Sequence, residues 1–140
     1  MALVTLLCFT GCEEPLLTSL DKHPPALFAV EIRSARWDAL VAWYREALGL
    51  QVLLRVIDDR YALLAAGSAR LVILGRDEAP PESRRWSLAF EVDDLDAARS
   101  RLASANHDPP SPTANPEGFR EFVVSDPDGN RIRLFAWTHD

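Results

Sequence analysis

The stretch "SLAFEVDDLDAARSRLASA" (residues 87–105) joins a predicted strand directly to a predicted helix. In its first half, Leu88, Phe90 and Val92 alternate with small or polar residues, which is typical of a strand with one apolar face. In its second half, Leu95 begins an apolar stripe at helical spacing, and aspartates just before it are candidate N-caps. The stretch therefore predicts a strand whose apolar face is covered by the helix that follows it.

The same order occurs earlier in the chain. "LFAVEIRS" (27–34) alternates like a strand, and "WDALVAWYREALGL" (37–50) has a helical apolar stripe that ends near Gly49. Three strands should follow each helix. After the first helix they are predicted at 50–56, 61–67 and 70–75. After the second helix, a short strand is predicted inside the turn-rich segment 107–118, and two more at 120–126 and 130–137. Because one strand–helix–three-strand unit cannot easily bury its own sheet, the two units should pack as a pair.

These elements divide the chain into an N-terminal extension and one domain. We expect the extension, with a proline-containing linker, over 1–26 and the domain over 27–140. Within the domain, the predicted parts are module one (27–75), a polar linker (76–85) and module two (86–137).

The composition bounds the classes of function. A chain of 140 residues with 48% hydrophobic and 26% charged residues is typical of one globular domain. Its net charge of −6 argues against a nucleic-acid partner, because no basic excess is available to displace counterions from phosphates.

The first residues carry an apolar stretch that ends in Thr10-Gly11-Cys12. This resembles the end of a bacterial lipoprotein signal, but no Lys or Arg precedes the stretch, and the alternative is an apolar extension of the domain. We expect a cytoplasmic protein, with lipid anchoring at the cell envelope through Cys12 as the alternative. Cys8 and Cys12 are the two cysteines, so the body of the domain has no thiolate nucleophile.

Three stretches in order, "WDALVAWYREALGLQV" (37–52), residues 87–105 and "SDPDGNRIRLF" (125–135), resemble the vicinal oxygen chelate superfamily. This superfamily includes glyoxalase I, bleomycin-resistance proteins and extradiol dioxygenases, and the resemblance covers about residues 27–137. It implies an α+β fold in which two βαβββ modules form a cup-shaped mixed sheet that binds ligands on its concave face. In the bleomycin-resistance branch it also implies a homodimer with pockets between subunits.

In metal-dependent members, His and Glu side chains from the first and last strand of each module hold the ion. The resemblance places these positions at Ala29, at Val72 or Ile73, at Ser87 and at Arg133. Serine is at best a weak ligand, and arginine has no lone pair to offer. We expect no metal and no cofactor, and expect the histidines to be exposed polar residues outside any site, namely His23, His107 and His139.

Alternation places several polar and aromatic side chains on the face of the strands opposite the helices, which the resemblance makes the wall of the cup. The predicted ligand-binding residues are Glu31, Arg33, Tyr61, Ser87, Glu91, Phe122 and Arg133. A concave, mainly apolar surface with a few polar groups is typical of a small-molecule site. We therefore expect a small organic ligand that is anionic or aromatic.

Arg133 has two interpretations. Its guanidinium either replaces the metal as the cation that binds an anionic ligand, or it pairs with Glu31 or Glu91 across the cup. The pairing does not exclude a ligand that inserts between the partners.

The residues favour a metal-free protein that binds or sequesters a small molecule over an enzyme. Two alternatives stay open: a glyoxalase- or dioxygenase-type lyase or oxidoreductase with unusual metal ligands, or a metal-free enzyme with Glu31 or Glu91 as base. Asp126 and Asp128 lie in a DPDG turn, where we expect them to be structural.

Overall fold

The computed structural model describes residues 24–80 and 85–139. The predicted extension, with Cys8, Cys12 and His23, lies outside the described residues except for its last three positions. The elements are β1 (Val30–Ser34), α1 (Trp37–Glu46), β2 (Gln51–Val56), β3 (Tyr61–Ala66), β4 (Ala69–Gly75), β5 (Leu88–Glu91), α2 (Leu95–Ser104), β6 (Thr113–Asn115), β7 (Phe119–Ser125) and β8 (Arg131–Trp137).

Each module forms its own four-stranded mixed sheet, and the two sheets have the same topology. The strand orders are β1-β4-β3-β2 and β5-β8-β7-β6. In each sheet the first strand pairs in parallel with the last, and the other pairs are antiparallel. The predicted α+β fold of two βαβββ units is confirmed, including the short strand inside 107–118, which is β6. In the described part of the chain, neither helix is long and apolar enough to cross a membrane.

Local interactions define the start of α2 and the end of α1. The Asp94 side chain accepts hydrogen bonds from the backbone N–H groups of Asp96 and Ala97, at 2.9 and 3.1 Å, and so caps α2. α1 ends at Glu46, four residues before the predicted end, and Gly49 turns the chain with a φ of +77°. The Arg101 Nε donates to the Glu46 carbonyl oxygen at 2.9 Å, which ties α2 to the end of α1.

One hydrophobic core joins the two modules. Both sheets contribute side chains to it, for example Ile73 and Ile132, and the stripe of α1 belongs to the same cluster. Leu40 and Tyr44 of this stripe have no exposed surface. The side of each sheet that faces the helices is therefore buried, and we call the opposite side of each sheet its second face.

Hydrogen bonds on the helix side also connect the modules. The Tyr44 hydroxyl donates to Asp126 Oδ2 at 2.7 Å, and the Trp43 indole N–H donates to His107 Nε2 at 2.6 Å. The prediction that His107 is an exposed polar residue is therefore wrong, because its ring packs edge-on against Trp43. His139 is exposed, as predicted.

Asp126 organises the turn between β7 and β8. It is 4% exposed. Besides the hydrogen bond from the Tyr44 hydroxyl, its carboxylate accepts hydrogen bonds from the backbone N–H groups of Asp128 and Asn130, at 3.0 and 2.9 Å. The Asn130 side-chain amide donates to the same carboxylate at 2.9 Å. The structural role expected for Asp126 is confirmed, and the turn also docks on α1 of the other module.

Candidate functional site

The second face of the module-two sheet combines charged and aromatic side chains. Ile132 and Leu134 of β8 point into the core, so the alternate residues of this strand point to the second face. The antiparallel register places alternate residues of β7 beside them. On these two strands the residues of this face are Arg131, Arg133, Phe135 and Trp137 of β8 and Phe119, Glu121, Val123 and Ser125 of β7.

Arg133 forms an ion pair with Glu121 on this face. Its Nε and Nη2 both contact Glu121 Oε2, at 2.7 and 2.5 Å. The side chains of Arg133 and Glu121 keep 29% and 25% of their surface exposed, so the pair is accessible from solvent. Arg133 does pair with a carboxylate, but the predicted partners, Glu31 and Glu91, are wrong.

Three aromatic rings, Phe119, Phe135 and Trp137, form what we call the aromatic wall. Their centroids are 5.6 to 5.9 Å apart in edge-to-face arrangements. The Arg133 guanidinium carbon lies 5.7 and 5.8 Å from the centroids of Phe119 and Phe135, within range of a cation–π interaction. Trp137 is 49% exposed, so the wall offers apolar surface beside the charged pair.

The second face of the module-one sheet is more apolar. Glu31 and Arg33 of β1 are exposed on it, and Tyr61 of β3 is half-buried. Leu63 lies two residues after Tyr61 on the same face of β3. Leu54 of β2 pairs with Leu63 and is 50% exposed. This face therefore offers a polar edge on β1 and an apolar surface over β2 and β3.

The predicted site residues fall into two groups on different sheets. Glu31, Arg33 and Tyr61 lie on the module-one sheet. The others lie on the module-two sheet, except Ser87, which directly precedes β5. Ser87 accepts a hydrogen bond from Arg131 Nη1 at 3.3 Å, and Glu91 is exposed.

Phe122 is the residue that the sequence placed on the wrong face. It is 3% exposed, belongs to the core and pairs across the sheet with Leu134. The physical reason is that "REFVVSD" has three consecutive apolar residues, so apolar side chains point to both faces of the strand. Alternation alone therefore does not show which face is buried. The shift by one residue brings Glu121 and Val123 to the second face instead.

Sequence reasoning missed Glu121 and Phe119, both on β7, because of this shift. The sequence did contain a signal for Glu121. A partly buried arginine such as Arg133 is usually paired with an acidic residue on a neighbouring strand, and Glu121 is the glutamate in β7.

The positions that the resemblance assigns to metal ligands offer few donor atoms for an ion. Val72 is buried on the second face opposite Glu31, Ile73 lies in the core, and Arg133 is engaged by Glu121. Ala29 and Val72 have no donor atom in their side chains, and an arginine cation repels a metal. Among residues 24–80 and 85–139, no three His, Cys, Asp or Glu side chains are grouped to hold a metal ion.

A cavity of about 540 Å³ lies elsewhere, between the start of β1 and the free edge of β5. Val30, Leu71, Leu88 and Phe90 are among its lining residues, and Glu91 is the predicted site residue that borders it. We place the candidate site on the second face of module two rather than in this cavity, because the ion pair and the aromatic wall lie there.

Solved structures similar to this chain share its fold at low sequence identity. A lactoylglutathione lyase from Agrobacterium tumefaciens is 18% identical, with 81% of this chain and 94% of that chain covered and a TM-score of 0.62. TnmS3, an antibiotic-binding protein from Streptomyces sp. CB03234, is 22% identical, with 83% and 100% covered and a TM-score of 0.66. A glyoxalase/bleomycin resistance protein/dioxygenase from Nocardioides is 19% identical, with 91% and 94% covered and a TM-score of 0.65.

No curated protein matches the sequence. The family model of glyoxalases matches residues 26–134, which is most of the chain and covers module one and nearly all of module two. The repeated βαβββ topology agrees with that match. The chain belongs to the Glyoxalase/Bleomycin resistance protein/Dioxygenase superfamily.

Proposed function

We propose that this protein binds a small organic molecule, aromatic or anionic, without a metal ion, on the second face of the module-two sheet. The observation that carries the proposal is Arg133, which stands where metal-dependent relatives would present a carboxylate. Its guanidinium is fixed by Glu121 and flanked by the aromatic wall. A fixed cation next to half-exposed aromatic surface is suited to recognising a ligand and not to holding a metal.

The similar structures support both binding and catalysis as family functions. TnmS3 is described as an antibiotic-binding protein, which agrees with binding or sequestration, whereas the Agrobacterium protein is a lyase. For a metal-free enzyme, the base would be Glu31 or Glu91, and a base of this kind works best in a dry pocket. Within a single chain both side chains are exposed to solvent, which favours binding as the function.

A thermal-shift screen of aromatic and carboxylated metabolites, with chelator present, tests this proposal. A ligand that binds only the folded state raises the Tm, and the rise grows with the logarithm of the ligand concentration relative to its Kd. We expect ligands that raise the Tm of the wild type to lose most of this effect in Trp137→Ala. The matched control is Trp86→Ala, because Trp86 is 41% exposed and lies outside β7 and β8.

The proposal would be wrong if every ligand found raised the Tm of Trp137→Ala as much as that of the wild type. It would also be wrong if no compound shifted the wild-type Tm unless a metal ion was added.

We further propose that two copies of the chain form the complete site. The second faces point away from the shared core, and they carry exposed apolar side chains, Leu54 on one sheet and Trp137 on the other. In the proposed dimer, the second face of the module-one sheet of each copy packs against the second face of the module-two sheet of the other copy. A twofold axis then creates two identical interfaces, and these cover both Leu54 and Trp137. Each interface would then enclose the Arg133–Glu121 pair under the apolar surface of β2 and β3.

Sedimentation velocity tests this assembly. We expect the wild type to sediment as a dimer and Leu54→Glu to sediment as a monomer at micromolar concentration, because the new charge would be buried without a partner. Leu27→Glu is the matched control, since Leu27 is 85% exposed and precedes β1, and it should stay dimeric. A monomeric wild type, or a Leu54→Glu variant that remains a dimer, would contradict the arrangement.

A further inference from the structure

The ion pair on the second face leaves one carboxylate oxygen and several N–H donors open. Both contacts of Arg133 converge on Glu121 Oε2. Within the part of the chain that the structure describes, Glu121 Oε1 accepts no hydrogen bond and Arg133 Nη1 donates none. A carboxylate oxygen can accept two hydrogen bonds and a guanidinium has five N–H donors, so both partners retain capacity for a ligand.

The charges on this face already balance. Two arginines, Arg131 and Arg133, share it with two glutamates, Glu91 and Glu121. A ligand carboxylate that approached Arg133 would also approach the Glu121 carboxylate, and like charges at short distance repel. A ligand without net charge avoids this cost.

The aromatic wall favours a ligand that carries an aromatic ring next to its polar group. Phe135 and Trp137 follow Arg133 on the same face of β8, and alternate residues of a strand are roughly 6.7 Å apart. A ring attached directly to the polar group would therefore lie on Phe135 and the exposed side of Trp137. The ring and the polar group are thus recognised by adjacent parts of one strand.

On the basis of the function proposed above, we infer that the site selects uncharged aromatic amides or lactams. Such a group is uncharged: its carbonyl oxygen accepts from an open N–H of Arg133 and brings no second negative charge near Glu121. The ion pair is then the recognition element itself, and Glu121 determines specificity by excluding carboxylates.

Two isosteric probes test this inference: 2-naphthamide and 2-naphthoate have the same ring system and differ in the amide and the carboxylate. Titrated at pH 7 by calorimetry, the wild type should bind the amide at least tenfold more tightly, which corresponds to about 1.4 kcal/mol. Glu121→Gln should abolish or reverse this preference, because the like charge is removed. Glu91→Gln is the control: it removes a glutamate from the same face that has no ion pair with Arg133, and the preference should persist.

Equal or tighter binding of 2-naphthoate to the wild type would overturn the inference, and so would the absence of binding of either probe at millimolar concentration. Neither result would overturn the proposed function if another compound from the screen still depended on Trp137. The wild-type comparison alone decides the inference if Glu121→Gln does not fold.

Discussion

Asp126→Ala should lower the free energy of unfolding by more than about 3 kcal/mol. The Asp126 carboxylate is buried and accepts four hydrogen bonds, from the Tyr44 hydroxyl, the Asn130 amide and two backbone N–H groups. Hydrogen bonds to a charged group stabilise by about 1.5 to 3 kcal/mol each, and the donors left behind are buried without a partner. Because Tyr44 lies on α1 of the other module, the substitution should also loosen the contact between modules.

Chemical denaturation measured by circular dichroism gives this free energy. Asp128→Ala is the matched control, because Asp128 lies in the same turn and its ion pair is with the largely exposed Arg36, at 3.4 Å. We expect the control to cost less than about 1 kcal/mol. Equal losses in the two variants would show that the buried carboxylate has no special role.

Raising the pH above about 10 should destabilise the wild type steeply, by about 1.4 kcal/mol per pH unit for a single titrating group. Burial raises the pKa of the Tyr44 phenol far above its usual range, and the neighbouring Asp126 carboxylate raises it further. The folded state therefore keeps the phenol proton while the unfolded chain releases it. The stabilisation from this group is fully present below the pKa of an unfolded tyrosine and is lost progressively as the pH rises above it.

Tyr44→Phe should remove this part of the slope of unfolding free energy against pH. The other tyrosine, Tyr61, the single lysine, Lys22, and the two cysteines, Cys8 and Cys12, are present in both proteins, so the difference between the two slopes reports Tyr44. Denaturation series from pH 8 to about pH 12 compare the two proteins. The same alkaline slope in wild type and Tyr44→Phe would contradict the interpretation.

Local patterns were sufficient to predict most of the fold. Period-two and helical spacing located the strands and both helices, and their repetition predicted the two sheets of equal topology. The apolar stripe of α1 was also readable, because one face of a helix must be buried against a sheet. The second-face position of Arg133 followed from Ile132 and Leu134 on either side of it.

The sequence did not predict which distant side chains pair with each other. Tyr44 and Asp126 are 82 residues apart, and no local rule indicates that a turn aspartate accepts a buried hydroxyl of another module. The partner of Arg133 was missed for a different reason, since two valines follow each other in β7 and the buried parity was ambiguous. One error in that strand exchanged Phe122 for Glu121, and with it the identity of the ion pair.

The second face of module two should bind an organic ligand without a metal. The most direct test titrates a ligand from the screen into three samples by calorimetry: chelator-treated protein, protein supplied with Ni²⁺ or Zn²⁺, and Arg133→Met. We predict the same Kd in the first two samples, substoichiometric metal by elemental analysis, and affinity at least about tenfold weaker in Arg133→Met. Stoichiometric metal in the purified protein, or binding that appears only after metal is added, would contradict the account.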